Sequence, residues 1–164
     1  MKRYLSLTFL LLSACSTVPV AIKNPPLHDI SYTEATTQNI TNFKDAPVRW
    51  GGIIVDVENE QNFSLVQVLY YPLDSGGEPL KEKSNAGRFV FKSPLFLDPA
   101  IYVINAKITV AGTLTGDIER MVGKKVLRVP LISATTIYLW QDYDYDSYYD
   151  NLCYGSCYTP ERRH

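Results

Sequence analysis

The stretch Val48-Arg49-Trp50-Gly51-Gly52-Ile53-Ile54-Val55-Asp56-Val57 decides the fold class of this chain. β-Branched and aromatic residues dominate it, which is typical of a β-strand. Gly51 and Gly52 lie inside it, and glycines within a strand often mark a bulge or a sharp bend of the kind that small barrels require. The sequence therefore predicts a bent strand that starts near Pro47.

Further short strands follow this one, separated by turn signals at residues 58–62 and 74–77. A stiff connector is expected at Pro94 to Pro99, and Gly116 is expected to close the fourth strand. The later strands are predicted at Phe63 to Leu73, Arg88 to Lys92, Lys107 to Leu114, Val126 to Val129 and Thr135 to Trp140. This pattern predicts an all-β fold, a small five- to six-stranded OB-like (Greek-key) barrel, with a small sandwich as the second choice.

The bulk composition limits the function classes. The chain has 164 residues, of which 46% are hydrophobic and 20% charged, and this suits one folded domain better than a disordered chain. Its 16 basic and 17 acidic residues nearly balance, and no block of Lys or Arg stands out. The sequence therefore lacks the electrostatic footprint of a nucleic-acid-binding protein.

The first residues have the character of a secretory signal. Lys2 and Arg3 precede an apolar run from Leu5 to Leu12, which is too short to span a bilayer but has the length of a signal-peptide core. The run ends in Leu12-Ser13-Ala14-Cys15, which resembles a bacterial lipobox. That resemblance implies a signal peptide over residues 1–14, cleavage between Ala14 and Cys15, and lipid on Cys15. Ser16, where Asp would favour the inner membrane, indicates the outer membrane.

Two further cysteines remain, Cys153 and Cys157. Since an exported protein meets an oxidising compartment, they are predicted to pair as a disulfide around Gly155. A redox or metal role is the alternative, although this pair has too few neighbouring ligands for a structural zinc site.

Residues 15–46 are expected to form a lipidated tether and lead-in. They contain Pro19, Pro25 and Pro26 and show no clear periodicity. A short helical turn is possible between Ser31 and Asn42, because Ser31 and Glu34 have capping-box spacing.

The C-terminal tail, residues 141–164, is rich in Tyr and Asp. It includes Asp142-Tyr143-Asp144-Tyr145-Asp146, which places acids on one face and aromatics on the other if the chain is extended. The tail could be a disordered acidic segment, a protein-contact segment, or a weak divalent-cation binder. Local packing or contact with a partner is favoured.

Several motifs in order give a family resemblance that runs from about residue 25 to Trp140 and includes the lipobox. They are Val48 to Ile54, Tyr71-Pro72-Leu73, Gly87-Arg88-Phe89, Phe96-Leu97-Asp98-Pro99-Ala100-Ile101-Tyr102, Val110-Ala111-Gly112-Thr113-Leu114-Thr115-Gly116 and Ile137-Tyr138-Leu139-Trp140. The sequence resembles the Slp family, the starvation-inducible outer-membrane lipoproteins of Gram-negative bacteria. The strand pattern places the expected barrel domain at 47–140, and the resemblance implies links to carbon starvation, stationary phase and acid stress. It supplies no catalytic residues.

No catalytic or metal site is predicted. The two histidines, His28 and His164, lie in the lead-in and at the last position, and neither suits a catalytic triad. Five acids could in principle pair, but carboxylates in turns are usually solvated: Asp56, Glu58, Asp98, Asp117 and Glu119. Trp50 and Trp140 are expected to fill the core or plug a barrel end rather than to form a ligand platform.

The leading hypothesis is a non-enzymatic outer-membrane lipoprotein with a structural or stress-adaptation role, anchored by lipid and facing the periplasm. No cofactor is expected beyond the covalent lipid on Cys15. The expected partners are membrane lipid and an envelope protein or peptidoglycan. The alternative is a ligand-binding module that uses one barrel face for an envelope glycan, and such a module needs a groove with exposed aromatics and convergent polar groups. An enzyme ranks third.

Overall fold

Five strands form a closed barrel in the computed structural model, which describes residues 18–141. The strands are β1 (Pro47–Asn59), β2 (Ser64–Tyr71), β3 (Gly87–Ser93), β4 (Lys107–Val122) and β5 (Lys125–Leu139). Their order around the barrel is β1-β2-β3-β5-β4, and β4 pairs again with β1. All pairs are antiparallel except β3 with β5. The prediction of a small all-β, OB-like barrel is confirmed.

The bent first strand closes the barrel because it pairs on both edges. Its first part pairs with β4 and its second part with β2, with a bulge between Ile54 and Asp56. A Cβ on Gly52 would lie 1.9 Å from the carbonyl oxygen of Leu69, so only glycine permits this approach of β1 to β2. The prediction that glycine serves backbone packing here is confirmed at Gly52.

The barrel interior is filled by alternate side chains of the five strands. They are fully or almost fully buried and form one cluster: Val48, Trp50, Ile54, Val66, Val68, Phe89, Phe91, Ile108, Val110, Leu114 and Ile132. The ring of Trp50 meets Phe89 edge-on at 5.6 Å between centroids, and its indole N–H donates to the carbonyl oxygen of Ile30 at 2.8 Å. Trp50 is thus a core residue, as predicted.

The second half of the sheet differs from the prediction. Gly116 was expected to close the fourth strand, with separate strands at Val126 to Val129 and Thr135 to Trp140. Instead β4 and β5 form one long hairpin in which Gly116, at φ +140°, sits at a register shift and bends β4 without ending it. The hairpin turns at Gly123, whose φ of +62° suits the first position of a two-residue turn.

The lead-in contains two short helices, α1 (Val20–Lys23) and α2 (Tyr32–Thr37), and a 3₁₀ helix (Ile40–Phe43). The Ser31 hydroxyl accepts from the backbone N–H of Glu34 at 3.1 Å, which confirms the helical turn expected there. The structure differs from the expected tether because the side chains of Ile22, Tyr32 and Ala35 are buried against the barrel. In the described part of the chain, no helix has the length and hydropathy needed to cross a membrane.

Candidate functional site

The acidic residues considered for catalysis do not converge. The Glu58 carboxylate accepts from the guanidinium of Arg120 at 2.9 and 3.2 Å, and Asp117 pairs with Arg128 at 2.6 Å. Asp98 accepts from the backbone N–H of Ala100 at 2.9 Å, so it caps its own turn. Asp56 and Glu119 are exposed on β1 and β4. Three of these carboxylates are thus engaged in separate ion pairs or a turn and the other two are exposed, so they are not arranged as an acid–base pair.

Within residues 18–141, the histidine and the other possible metal ligands do not form a candidate site either. His28 is exposed in the turn after α1. Among these described residues, no group of three His, Cys, Asp or Glu side chains is placed to hold a metal ion. A shallow groove of about 280 Å³ lies between α2 and the β4–β5 hairpin, and its charged wall is the Asp117–Arg128 pair. Because the two charges neutralise each other, this groove offers no unpaired acid or base.

The middle of the outer face of β2 and β3 is covered. Gln67 and Val90 pair across these strands and alternate with core residues, so they point away from the barrel interior. They are nevertheless only 7% and 0% exposed. An OB-like barrel that binds a glycan on this face would need it open.

The connector between β3 and β4, residues 94–106, carries a cluster of exposed apolar side chains. Five large ones are between 47% and 72% exposed: Leu95, Phe96, Ile101, Val103 and Ile104. Scattered single apolar residues are normal on a surface, whereas five within ten positions form a patch of the kind that marks an interaction site. We call these five residues the connector patch.

The connector patch is held firmly in place by the barrel. Leu97 is buried, and its backbone N–H donates to the Ser64 hydroxyl at 3.1 Å. Asn59 Nδ2 donates to the Leu97 carbonyl oxygen at 3.0 Å. At the far end, Asn105 N–H donates to the Ile54 carbonyl oxygen at 2.9 Å. The patch is therefore preformed, and it lies beside the part of β1 that β4 does not cover. The sequence predicted that the connector is stiff but did not predict the connector patch. The run Leu95-Phe96-Leu97 could have indicated the patch.

A second surface lies at the barrel end where the described chain begins. Val18 and Lys23 meet Trp140 around a cavity of about 320 Å³, which the loop after β2 completes with Asp74 and Glu78. The Trp140 indole N–H donates to the Thr109 hydroxyl at 2.9 Å, so the half-buried ring is fixed at the rim. Trp140 thus sits at a barrel end, as the sequence indicated.

Arg49 fastens this end of the chain to the barrel. Its Nη1 donates to the carbonyl oxygens of Ile22 at 2.8 Å and Lys23 at 3.0 Å, and its backbone N–H donates to Asp29 at 3.1 Å. Burial raises the pKa of the Asp29 carboxyl, and the hydrogen bond and charge of Arg49 oppose that rise. Arg49 appeared in the sequence only as one residue of a strand, and no local signal gave it this role.

The lipidation residue Cys15, the cleavage residue Ala14, the proposed disulfide of Cys153 and Cys157, and His164 lie outside the described residues. The tail from residue 142 onward lies outside them as well.

The fold and these surfaces define a small closed barrel of the OB-like class. The chain belongs to the outer membrane lipoprotein Slp family, whose model matches residues 12–163. It is 30% identical to the outer membrane protein Slp of Escherichia coli (strain K12), an alignment that covers 94% of this chain and 88% of that protein. It is also 30% identical to the uncharacterized lipoprotein YeaY of the same organism, over 85% of this chain and 72% of that protein.

Among solved structures, the small single-stranded DNA-binding protein from Streptomyces coelicolor superposes with a TM-score of 0.36 at 10% identity. That superposition covers 58% of this chain and 94% of the other. A similarity of this size supports no conclusion about function.

Proposed function

We propose that this protein is a non-enzymatic, lipid-anchored protein of the outer membrane, with a structural or stress-adaptation role in the envelope. The observation that carries the proposal is the filled, closed barrel, on which Glu58 and Asp117 are engaged in separate ion pairs and Asp98 in a turn. The lipobox-like Leu12-Ser13-Ala14-Cys15 and the membership in the Slp family support the anchor and the location.

The anchor is tested by labelling cells with radioactive palmitate and separating the inner and outer membranes on a density gradient. The wild-type chain takes up label and sediments with the outer membrane. Cys15→Ala abolishes the label and accumulates as unprocessed precursor, whereas Cys153→Ala, the matched control, keeps both label and location. Normal processing of Cys15→Ala would overturn the proposal.

We place the contact with a further envelope component at the connector patch. Its apolar side chains suit a protein surface, and Asp98 in the middle of the segment suits a protein partner better than an anionic lipid surface. The glycan alternative receives less support, because Gln67 and Val90 are covered on the barrel face that it would use.

Photocrosslinking in intact cells tests this contact. A photoreactive amino acid in place of Phe96 is expected to give a discrete adduct that protease removes, and the same amino acid in place of exposed Lys83 is expected to give none. Equal adducts at both positions would contradict the proposal. An adduct that muramidase releases would favour the glycan alternative instead.

A further inference from the structure

The distance between the predicted anchor and the folded body is short. Only Ser16 and Thr17 separate Cys15 from Val18. Since a fully extended chain spans at most 3.3–3.6 Å per residue, the Cα of Val18 lies within about 11 Å of the Cα of Cys15. If Cys15 carries the lipid, as the proposed function requires, Val18 is held next to the headgroups.

The chain directly after Val18 is not a flexible linker, because the contacts of α1 hold it against the barrel. The Pro19 carbonyl oxygen accepts from the N–H groups of Ile22 at 2.9 Å and Lys23 at 3.0 Å, which closes α1 into one turn. Ile22 is fully buried, and Arg49 holds the carbonyl groups of Ile22 and Lys23.

A close backbone contact with the loop after β2 also holds the single turn of α1 in place. A Cβ on Gly77 would lie 2.4 Å from the Ile22 carbonyl oxygen, so the loop after β2 is packed directly against α1. α1 and the barrel therefore move together, so a surface that holds Val18 also holds this end of the barrel close to it.

The side chains around Val18 suit a lipid surface. Val20 is 73% exposed, Lys23 is exposed, and the half-buried Trp140 lines the same cavity as Val18. Apolar, cationic and indole side chains are the groups that favour the boundary between headgroups and acyl chains.

The two acids at this cavity are engaged within the protein. Asp74 Oδ1 accepts from the N–H groups of Gly76 and Glu78, both at 2.8 Å, and Glu78 pairs with Lys107 at 2.7 Å. Their charges are thus partly compensated where an anionic lipid surface would otherwise repel them.

We propose that this protein binds the lipid surface through the barrel end that carries Val18, Val20, Lys23 and Trp140, and that the two-residue link from Cys15 and the hydrogen bonds from Arg49 to α1 hold it there. The β4–β5 hairpin tip, around Met121, then points away from the membrane. The lead-in acts as a rigid mount and not as a spacer.

The test compares two positions of equal exposure, Val20 and Met121, both 73% exposed. In a background of Cys153→Ser and Cys157→Ser, Val20→Cys or Met121→Cys is labelled with an environment-sensitive fluorophore. The full lipidated chain is reconstituted in phosphatidylethanolamine–phosphatidylglycerol vesicles that contain headgroup-spin-labelled lipid. We expect quenching at least threefold stronger at position 20 than at position 121. Equal quenching, or stronger quenching at 121, overturns the proposal.

One further variant and one further measurement separate the reasons for failure. Insertion of ten Gly and Ser residues between Thr17 and Val18 is expected to remove most of the contrast, because the longer link no longer holds Val18 at the surface. A contrast that survives the insertion refutes the role of the short link. Mass spectrometry of the same samples reports acylation: an unacylated Cys15 refutes the proposed function, while an acylated chain with equal quenching refutes the orientation alone.

Discussion

Substitution of Trp50 by alanine removes the largest side chain of the core and one of the hydrogen bonds that join the lead-in to the barrel. The indole ring is buried, meets Tyr32 and Phe89 edge-on at 5.3 and 5.6 Å, and donates to the Ile30 carbonyl oxygen at 2.8 Å. Core Trp-to-Ala changes cost about 3–5 kcal/mol. The loss of the indole hydrogen bond adds about 1 kcal/mol. We therefore expect the free energy of unfolding to fall by about 5 kcal/mol.

The assay is urea unfolding followed by far-ultraviolet circular dichroism, which does not depend on the tryptophan that is removed. With a slope of about 2 kcal/mol per molar urea, a loss of about 5 kcal/mol moves the midpoint down by about 2.5 M. Trp140→Phe is the matched control, because it removes a half-buried ring with one hydrogen bond to Thr109 and is expected to cost about 1 kcal/mol. A loss below about 2 kcal/mol for Trp50→Ala would refute the reasoning that this ring links the lead-in to the core.

Three further predictions concern the barrel wall and its pH dependence. Gly52→Ala is expected to destabilise by more than about 2 kcal/mol in the same urea assay, because its Cβ meets the Leu69 carbonyl oxygen. Glu58→Gln removes the negative charge that pairs with Arg120, and amide exchange of the β4–β5 hairpin is expected to accelerate, which mass spectrometry measures. Burial raises the pKa of the Tyr70 phenol, so its contribution to stability is complete below pH 10 and is lost as pH rises through the folded pKa. Tyr70→Phe is therefore expected to reduce the loss of thermal stability between pH 9 and 11.

Each of these predictions has a contradicting outcome. An unchanged urea midpoint for Gly52→Ala would mean that β1 and β2 separate easily at this point. Unchanged exchange in Glu58→Gln would show that the ion pair does not hold the hairpin. An identical alkaline profile in Tyr70→Phe would show that ionisation of this phenol does not contribute to unfolding.

The sequence alone determined the β character and the barrel class. Residues such as Val48, Trp50 and Ile54 alternate with a period of two, and that period is a local property of the chain. The glycines inside the first strand also predicted its bend. The spacing of Ser31 and Glu34 predicted the helical turn in the lead-in, because a capping hydrogen bond joins residues three apart.

The connection of β4 with β5 was decided by tertiary structure. From the sequence alone, Gly116 is expected to end a strand, since glycine is a poor strand former. In the fold it sits at φ +140° within a ladder that continues to Val122, because pairing with β5 supplies the hydrogen bonds on its far side. The sequence could not show which residues lie opposite it.

The role of the lead-in was also decided by contacts between distant residues. Its prolines and lack of periodicity favour a tether, and they do describe the local backbone. Yet Ile22 is buried because Arg49, on a strand far along the chain, holds its carbonyl group, and because Gly77 lies close against it. Such contacts have no period in the sequence. The sequence thus predicts the anchor at Cys15, whereas the packing of the lead-in against the barrel became visible only in the fold.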